Sequence, residues 1–162
     1  MLALTASAFA QITVTATAAA TILTPITMVK VTDMNFGNLA VSATVPGTVL
    51  LPPAAAPVRV PTAGVTLMSG GTVTAAQFTV SGLAGATYSI TLPADGDVVL
   101  IGPGGAGVDE MEADDFTSSP TPTGTLTGGT ETLYVGATLT VDAAETPGVY
   151  TSAAFPVTVN YN

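Results

Sequence analysis

The chain has 162 residues, 48% of them hydrophobic and 8% charged, and its 11 acidic and 2 basic residues give a formal net charge of −9. This apolar content argues against a disordered chain. The acidic balance argues against a nucleic-acid partner, because phosphate binding needs clustered Lys and Arg. Cys and His are absent, so the chain has no disulfide, no thiolate metal site and no His-assisted nucleophile.

The first ten residues, "MLALTASAFA", end in Ala8-Phe9-Ala10, which fits the small-x-small rule for signal-peptide cleavage. Residues 1–10 are therefore predicted to be a signal-peptide remnant cleaved after Ala10, which implies secretion. The alternative is an ordinary N-terminal strand that begins at Leu2. No stretch approaches the ~20 uninterrupted apolar residues of a membrane-spanning helix, so we expect no transmembrane segment.

The next segment, "QITVTATAAATI" (residues 11–22), contains no charge, no Gly and no Pro. Its residues alternate with a period of two, which predicts a half-buried strand. A strand this long and uncharged would be an aggregation hazard if it stayed unpaired. The pattern leaves open whether its partner is its own domain or another molecule. One side carries Ile12, Val14, Ala16, Ala18, Ala20 and Ile22.

Short apolar runs broken by Gly and Pro continue through the rest of the chain and indicate about eight to ten strands and no helix. In chain order, strands are predicted at residues 26–31 and 47–51, then in "GVTLMSGG", "AQFTVSG", "ATYSIT" and "VVLIG", and around "ETLYVGATLTV". A turn around an inward-facing Phe36 is expected at residues 32–39, and a loop over residues 102–115. The architecture is predicted to be one all-β sandwich over residues 25–162.

The densest group of carboxylates lies in "VDEMEADDF". Such a group is a weak candidate for Ca²⁺, which takes several oxygen ligands from a flexible loop. The spacing does not match an EF-hand, and a solvated acidic loop is the preferred explanation of these residues. The candidates are Asp109, Glu110, Glu112, Asp114 and Asp115.

Two signals that point to enzymes fail on inspection. "GPGGAG" (residues 102–107) has the glycine spacing of a dinucleotide site, but it runs directly into carboxylates that would repel a phosphate. A pair of carboxylates could serve a glycosidase, yet nothing selects a pair, and Trp, which would stack on a sugar, is absent. We therefore expect no enzymatic activity and no cofactor.

The C-terminal "GVYTSAAFPVTVNYN" is a second alternating segment, with Val149, Thr151 and Ala153 followed by Phe155, Val157, Val159 and Tyr161 on one side. Together with "TDMNFGNLAVSATVPGTVLLPP", "FTVSGLAGATYSITLP" and "GTLTGGTETLYVGATLTV", it resembles the bacterial secreted family DUF4402 over nearly the whole mature chain. More distantly, "MNFGN" and the Tyr-ending last strand are similar to spore-coat-U-type and archaic chaperone–usher pilins.

The pilin resemblance implies an incomplete immunoglobulin-like β-sandwich that is completed by the N-terminal strand of the next subunit. Residues 11–24 would be the donor extension, with the apolar side of 11–22 filling a groove. Phe155, Val157, Val159 and Tyr161 would line one wall of that groove. The implied partners are identical subunits, a periplasmic chaperone and an outer-membrane usher.

The chain departs from pilins in several ways. The segment between its last two tyrosines is one residue longer, which implies a bulge or a change of alternation at Ala153–Ala154, and Pro156 removes one N–H, so the edges of the strand cannot be fully paired on both sides. In addition, the disulfide common in archaic pilins is missing. The resulting hypothesis is a secreted, filament-forming structural subunit. The alternative is a self-contained immunoglobulin-like surface or adhesin domain that binds a glycan or a protein.

Overall fold

The computed structural model describes residues 10–162, and the proposed signal remnant lies outside them except for Ala10. The described chain is almost entirely β, with one 3₁₀ turn at Thr127–Gly129. Its strands are β1 (Thr27–Thr32), β2 (Leu39–Val41), β3 (Gly47–Leu51), β4 (Val60–Pro61), β5 (Val65–Leu67), β6 (Ala76–Ser81), β7 (Thr87–Thr91), β8 (Val98–Ile101), β9 (Glu110–Ser119), β10 (Thr123–Thr125), β11 (Thr130–Val141), β12 (Thr151–Ser152) and β13 (Thr158–Tyr161).

The largest sheet has the order β1-β6-β11-β9-β8-β12, with β3 and β4 attached beside β11. Its central strand, β11, alternates polar and apolar residues and buries Leu133, Val135, Leu139 and Val141 on one face. That period of two is the pattern of a strand with one face on a core. β6 pairs with the first half of β11 and β3 with the second half, while β9 runs along the opposite edge.

Two smaller sheets cover the inner face of the large sheet and make the sandwich. The pair β2-β5 packs over one core cluster, which contains Phe36, Leu51 and Leu139. The three-stranded sheet β10-β7-β13 packs over the second cluster, which contains Tyr88 and Leu133. The predicted all-β sandwich is therefore confirmed, with one layer divided into two parts.

The two layers are joined by strands that pass from one sheet to the other. β7 lies in the three-stranded sheet and the following β8 in the large sheet. The neighbouring pairs β9–β10 and β12–β13 make the same change. β13 thus forms an edge of the second layer, while the residues just before it cross between the layers.

The loop predicted over residues 102–115 is wrong in its second half, because β9 begins at Glu110. Met111 and Ala113 are buried and alternate with exposed Glu112, so the acidic segment has the pattern of a strand with one apolar face. The alternation shifts at Asp115, where φ is +50° and the pairing with β11 slips by one residue. This is a β-bulge, and it turns Phe116 toward the core.

The C-terminal segment is not one continuous strand. β12 and β13 are separated by residues 153–157, and the inward side changes between them. Tyr150 and Ser152 are half-buried before the break, whereas Val149 is 80% exposed. Val149, Thr151 and Ala153, which share a side with Phe155 in the sequence pattern, are therefore exposed, and of the two features implied at Ala153–Ala154 the structure has the change of alternation.

Candidate functional site

The N-terminal segment, residues 10–25, belongs to no strand pairing of its own domain, and all of its residues are exposed. Ile12 is 86% exposed, Val14 87% and Ile22 98%. Large β-branched side chains are normally buried, so a run of them in water marks an interaction segment better than single exposed residues do. The predicted donor residues thus stand in solvent and fill no groove of their own chain.

The four predicted wall residues share one side of the C-terminal segment. Phe155, Val157, Val159 and Tyr161 are half-buried and alternate with exposed neighbours. All four pack against the second core cluster. β13 pairs with β7 along one edge, and no described residue pairs with its other edge. This free edge presents backbone N–H and C=O groups that a further strand could use.

An open groove, which we call the acceptor groove, is lined by Phe155 of this segment but not by Val157, Val159 or Tyr161. It has a volume of about 990 Å³. One wall is residues 33–41 and the other is residues 145–155. Its floor is apolar and is formed by core residues of the large sheet. The floor residues are Ala76, Phe78, Val98, Leu100, Met111, Ala113 and Leu139.

A network of hydrogen bonds holds the second wall. Asp109, only 6% exposed, accepts from the Gly104 N–H at 2.6 Å and from the Thr146 hydroxyl at 2.9 Å. The Tyr150 hydroxyl shares its one proton between two acceptors, Glu145 Oε2 at 2.8 Å and the Thr146 carbonyl at 3.0 Å. Burial and the hydrogen bond to Glu145 raise the pKa of Tyr150 to about 12. The wall is therefore anchored to the glycine-rich loop before β9.

The base of the N-terminal segment is tied to the last strand. The Tyr161 hydroxyl donates to the Thr24 carbonyl at 2.9 Å and accepts from the Leu83 N–H at 2.7 Å. Gly82 leaves room for this hydroxyl, because a Cβ at that position would overlap it. The point at which the N-terminal segment leaves the domain is therefore the C-terminal end of β13.

The acidic residues do not form a metal site within the described residues, where no group of three or more potential ligands could hold an ion. Their carboxylates instead bind backbone N–H groups. Asp114 accepts from the Gly96 N–H at 2.8 Å, and Asp95 accepts from the Asp115 N–H at 2.9 Å. These two bonds fasten the turn before β8 to the bulge in β9, which is a structural role.

Sequence reasoning missed two contributors to the groove. The wall at residues 33–41 was interpreted only as a turn around Phe36, although Leu39 and Val41 alternate as a short strand should. The sequence also predicts no role at this wall for Arg59. Its guanidinium donates to the carbonyls of Phe36 at 2.6 Å and Asn38 at 3.0 Å, and so braces that wall. No local pattern around Arg59 indicates these partners.

Comparison with known proteins places the chain in one family. The family model described as a domain of unknown function (DUF4402) matches residues 26–161. The chain belongs to this family, and the match begins just after the exposed N-terminal segment. No curated protein and no solved structure matches the chain. Within residues 10–162, no helix is long and apolar enough to cross a membrane.

Proposed function

We propose that this chain is a secreted, non-enzymatic structural subunit of an extracellular filament. In this proposal the N-terminal segment of one copy enters the acceptor groove of the next copy and adds a strand beside β13. The observation that carries the proposal is that one chain has an exposed, uncharged, alternating segment, an apolar groove and a strand, β13, with a free edge.

The exposed side chains supply a driving force for this exchange. Burying a Val or Ile that was fully exposed contributes about 1.5–3 kcal/mol, and Ile12, Val14 and Ile22 are each at least 86% exposed. Ala16, Ala18 and Ala20 on the same side contribute less but fit a narrow passage. Because the segment has no charged residue, no buried charge would oppose the exchange.

The distant similarity to spore-coat-U-type and archaic chaperone–usher pilins adds support, since those subunits are immunoglobulin-like sandwiches completed by a neighbour's strand. A free groove and a free apolar segment would aggregate in an unassembled subunit. The proposal therefore includes a periplasmic chaperone that covers the groove before assembly and an outer-membrane usher that releases it.

The second candidate is a self-contained surface or adhesin domain. The observation that favours it is that neither core cluster contains a residue of the N-terminal segment. Such a domain would be complete without a neighbour, and the segment would be a linker. The two candidates differ in what happens when the segment is removed.

The test is size-exclusion chromatography and negative-stain microscopy of the full chain beside a variant that lacks residues 11–22. Filaments, or ladders that resist SDS, are expected for the full chain and should be lost on deletion. Two double variants keep the length of the segment and show whether its apolar side is needed. Val14→Asp with Ala18→Asp changes the apolar side, and Thr13→Ser with Thr17→Ser changes the other side. Only the aspartate pair should abolish assembly. A full chain that stays monomeric at high concentration would favour the surface-domain candidate.

A further inference from the structure

The strand β1 ends the large sheet on one side and pairs with β6 alone, so its other edge has no partner among residues 10–162. Proteins usually protect such edges by keeping the last strand short or by placing Pro in it. The other strands that end a sheet follow this rule, since each has four residues or fewer, and β4 contains Pro61. β1 has six residues and neither Pro nor Gly. It is therefore the least protected of these edges.

The outward face of β1 is apolar as well as unpaired. Val29 is 65% exposed and Val31 55%, whereas Met28 turns inward and packs against the second core cluster. Val29 lies beside Thr79 of β6, and Thr79 lies beside Thr132 of β11, so the valines extend an uncharged area of the sheet. Apolar side chains that adjoin each other at a free strand edge mark an interaction surface, which single scattered ones do not.

The distribution of charge favours a second copy of this chain as the partner. With a net charge of −9, most contacts between two copies would bring carboxylates together. Only Asp33 of the 11 acidic residues precedes Asp95 in the sequence, and Asp33 is paired with Lys30. β1 and β6 contain no carboxylate, and the one in β11, Glu131, accepts the Tyr88 hydroxyl on the inner side. Two copies can therefore meet at β1 without this repulsion.

We propose that β1 is a self-association surface, at which the β1 strands of two copies pair antiparallel and join their large sheets edge to edge. The same residues face each other across a two-fold axis, so the contact is isologous and closes at two copies. It uses none of residues 11–22 and no part of β13. The proposal therefore goes beyond the filament function and does not rest on it.

The side chains of β1 select the register of this contact. A two-fold axis normal to the sheet passes between one residue and its own copy. An axis at Lys30 would set two ammonium groups opposite each other, which is unfavourable. An axis at Met28 would set Val31 opposite Pro25, which has no N–H to donate. An axis at Val29 sets two valines opposite each other on the outer face and leaves Lys30 opposite Met28, so it is the register that we expect.

Cysteine cross-linking tests this contact, and the absence of native Cys keeps the background clean. The full chain with Val14→Asp and Ala18→Asp serves as the parent, so that donor exchange does not contribute. Val29→Cys should bring two Cα atoms to about 5 Å, within the roughly 7 Å that a disulfide needs. Thr132→Cys is the control, because it is also exposed but lies two strands further in, which separates the two copies by about 24 Å. Under mild oxidation, Val29→Cys should form a covalent dimer at least about tenfold faster than Thr132→Cys.

A second matched pair of variants changes the charge of the same parent. Val29→Asp and Thr132→Asp each add one negative charge at an exposed position of the same row of residues. Sedimentation should show a concentration-dependent dimer for the parent and for Thr132→Asp. Val29→Asp should be a monomer at the same concentrations, because two carboxylates would stand opposite each other.

Each result decides the proposal. Equal cross-linking rates for the two cysteine variants would overturn the β1 contact, and so would a parent that stays monomeric at every concentration. A dimer that persists in Val29→Asp would place the contact elsewhere. If both aspartate variants dissociate, the added charge alone explains the loss, and the ratio of the two cross-linking rates decides. Filaments formed by the parent would contradict donor exchange, and the cysteine pair would still test β1.

Discussion

The rings of Phe116 and Phe155 meet at a tilt of 54° with their centroids 5.4 Å apart. Phe116 lies just after the bulge in β9, and Phe155 lies in the crossing segment before β13. Each ring packs against both core clusters. This contact therefore joins the two halves of the core at the side of the acceptor groove.

Replacing Phe155 with Ala should lower the free energy of unfolding by about 2 kcal/mol. A fully buried Phe→Ala change costs about 3–5 kcal/mol, and Phe155 is only half-buried. Urea unfolding of the variant that lacks residues 11–22 measures this without interference from assembly. Phe155→Leu should lose less than half as much. An Ala variant as stable as the parent would contradict the role of the ring pair.

Replacing Tyr161 with Phe removes the hydroxyl that bonds Thr24 and Leu83. We expect a loss of about 1 kcal/mol, since the freed groups are near the surface and water replaces part of each bond. Tyr134→Phe is the matched control, because Tyr134 is half-buried and its hydroxyl makes no hydrogen bond to any described residue. Thermal unfolding compares the two. Equal melting temperatures would show that the tie at Thr24 contributes nothing.

Arg59→Lys should destabilise the wall at residues 33–41, although the charge is kept. The guanidinium binds the carbonyls of Phe36, Asn38 and Met68 together, and a single ammonium cannot reproduce that fork. The expected cost is about 1–3 kcal/mol. Lys30→Ala is the control and should cost less than about 1 kcal/mol, because the Lys30–Asp33 ion pair is exposed. Similar losses for both variants would contradict the bracing role.

Stability should fall at alkaline pH through Tyr150. Its pKa is raised from 10.0 to about 12 in the folded protein, first by burial and then by the hydrogen bond to Glu145. The folded state therefore holds this proton more tightly than the unfolded state. The associated stability is fully present below pH 10.0 and is lost as the pH rises toward about 12.

Urea unfolding of the parent and of Tyr150→Phe at a series of pH values from 9 upward checks this. The parent should lose more stability over the interval than the variant does. Burial and Glu131 also raise the pKa of Tyr88, but Tyr88 is present in both proteins and cancels in the difference. Parallel pH profiles would contradict the assignment to Tyr150.

The all-β sandwich follows from local patterns, because short alternating runs between Gly and Pro leave few other architectures. The inward side of Phe155–Tyr161 and the turn at Phe36 and Gly37 are local in the same way, and Gly37 has the positive φ that the turn requires. The first part of β9 was predicted as a loop because its carboxylates are typical of a solvated segment, although Met111 and Ala113 alternate with acidic residues. The partners of Arg59 and Tyr161 are distant in sequence, so no window of residues could reveal them.

The alternation of residues 11–22 indicates a strand but carries no information about its partner. Only the fold shows that the segment is exposed and that β13 has a free edge in the described residues.

The central claim, that the acceptor groove takes a second chain's N-terminal segment, is tested most directly with a peptide. The variant that lacks residues 11–22 is titrated by calorimetry with the peptide QITVTATAAATI, extended by lysines for solubility. The account predicts one peptide per domain and a higher melting temperature, and no binding of the same peptide with Asp at the positions of Val14 and Ala18. Absence of binding and an unchanged melting temperature, in a variant that is folded, would contradict the account.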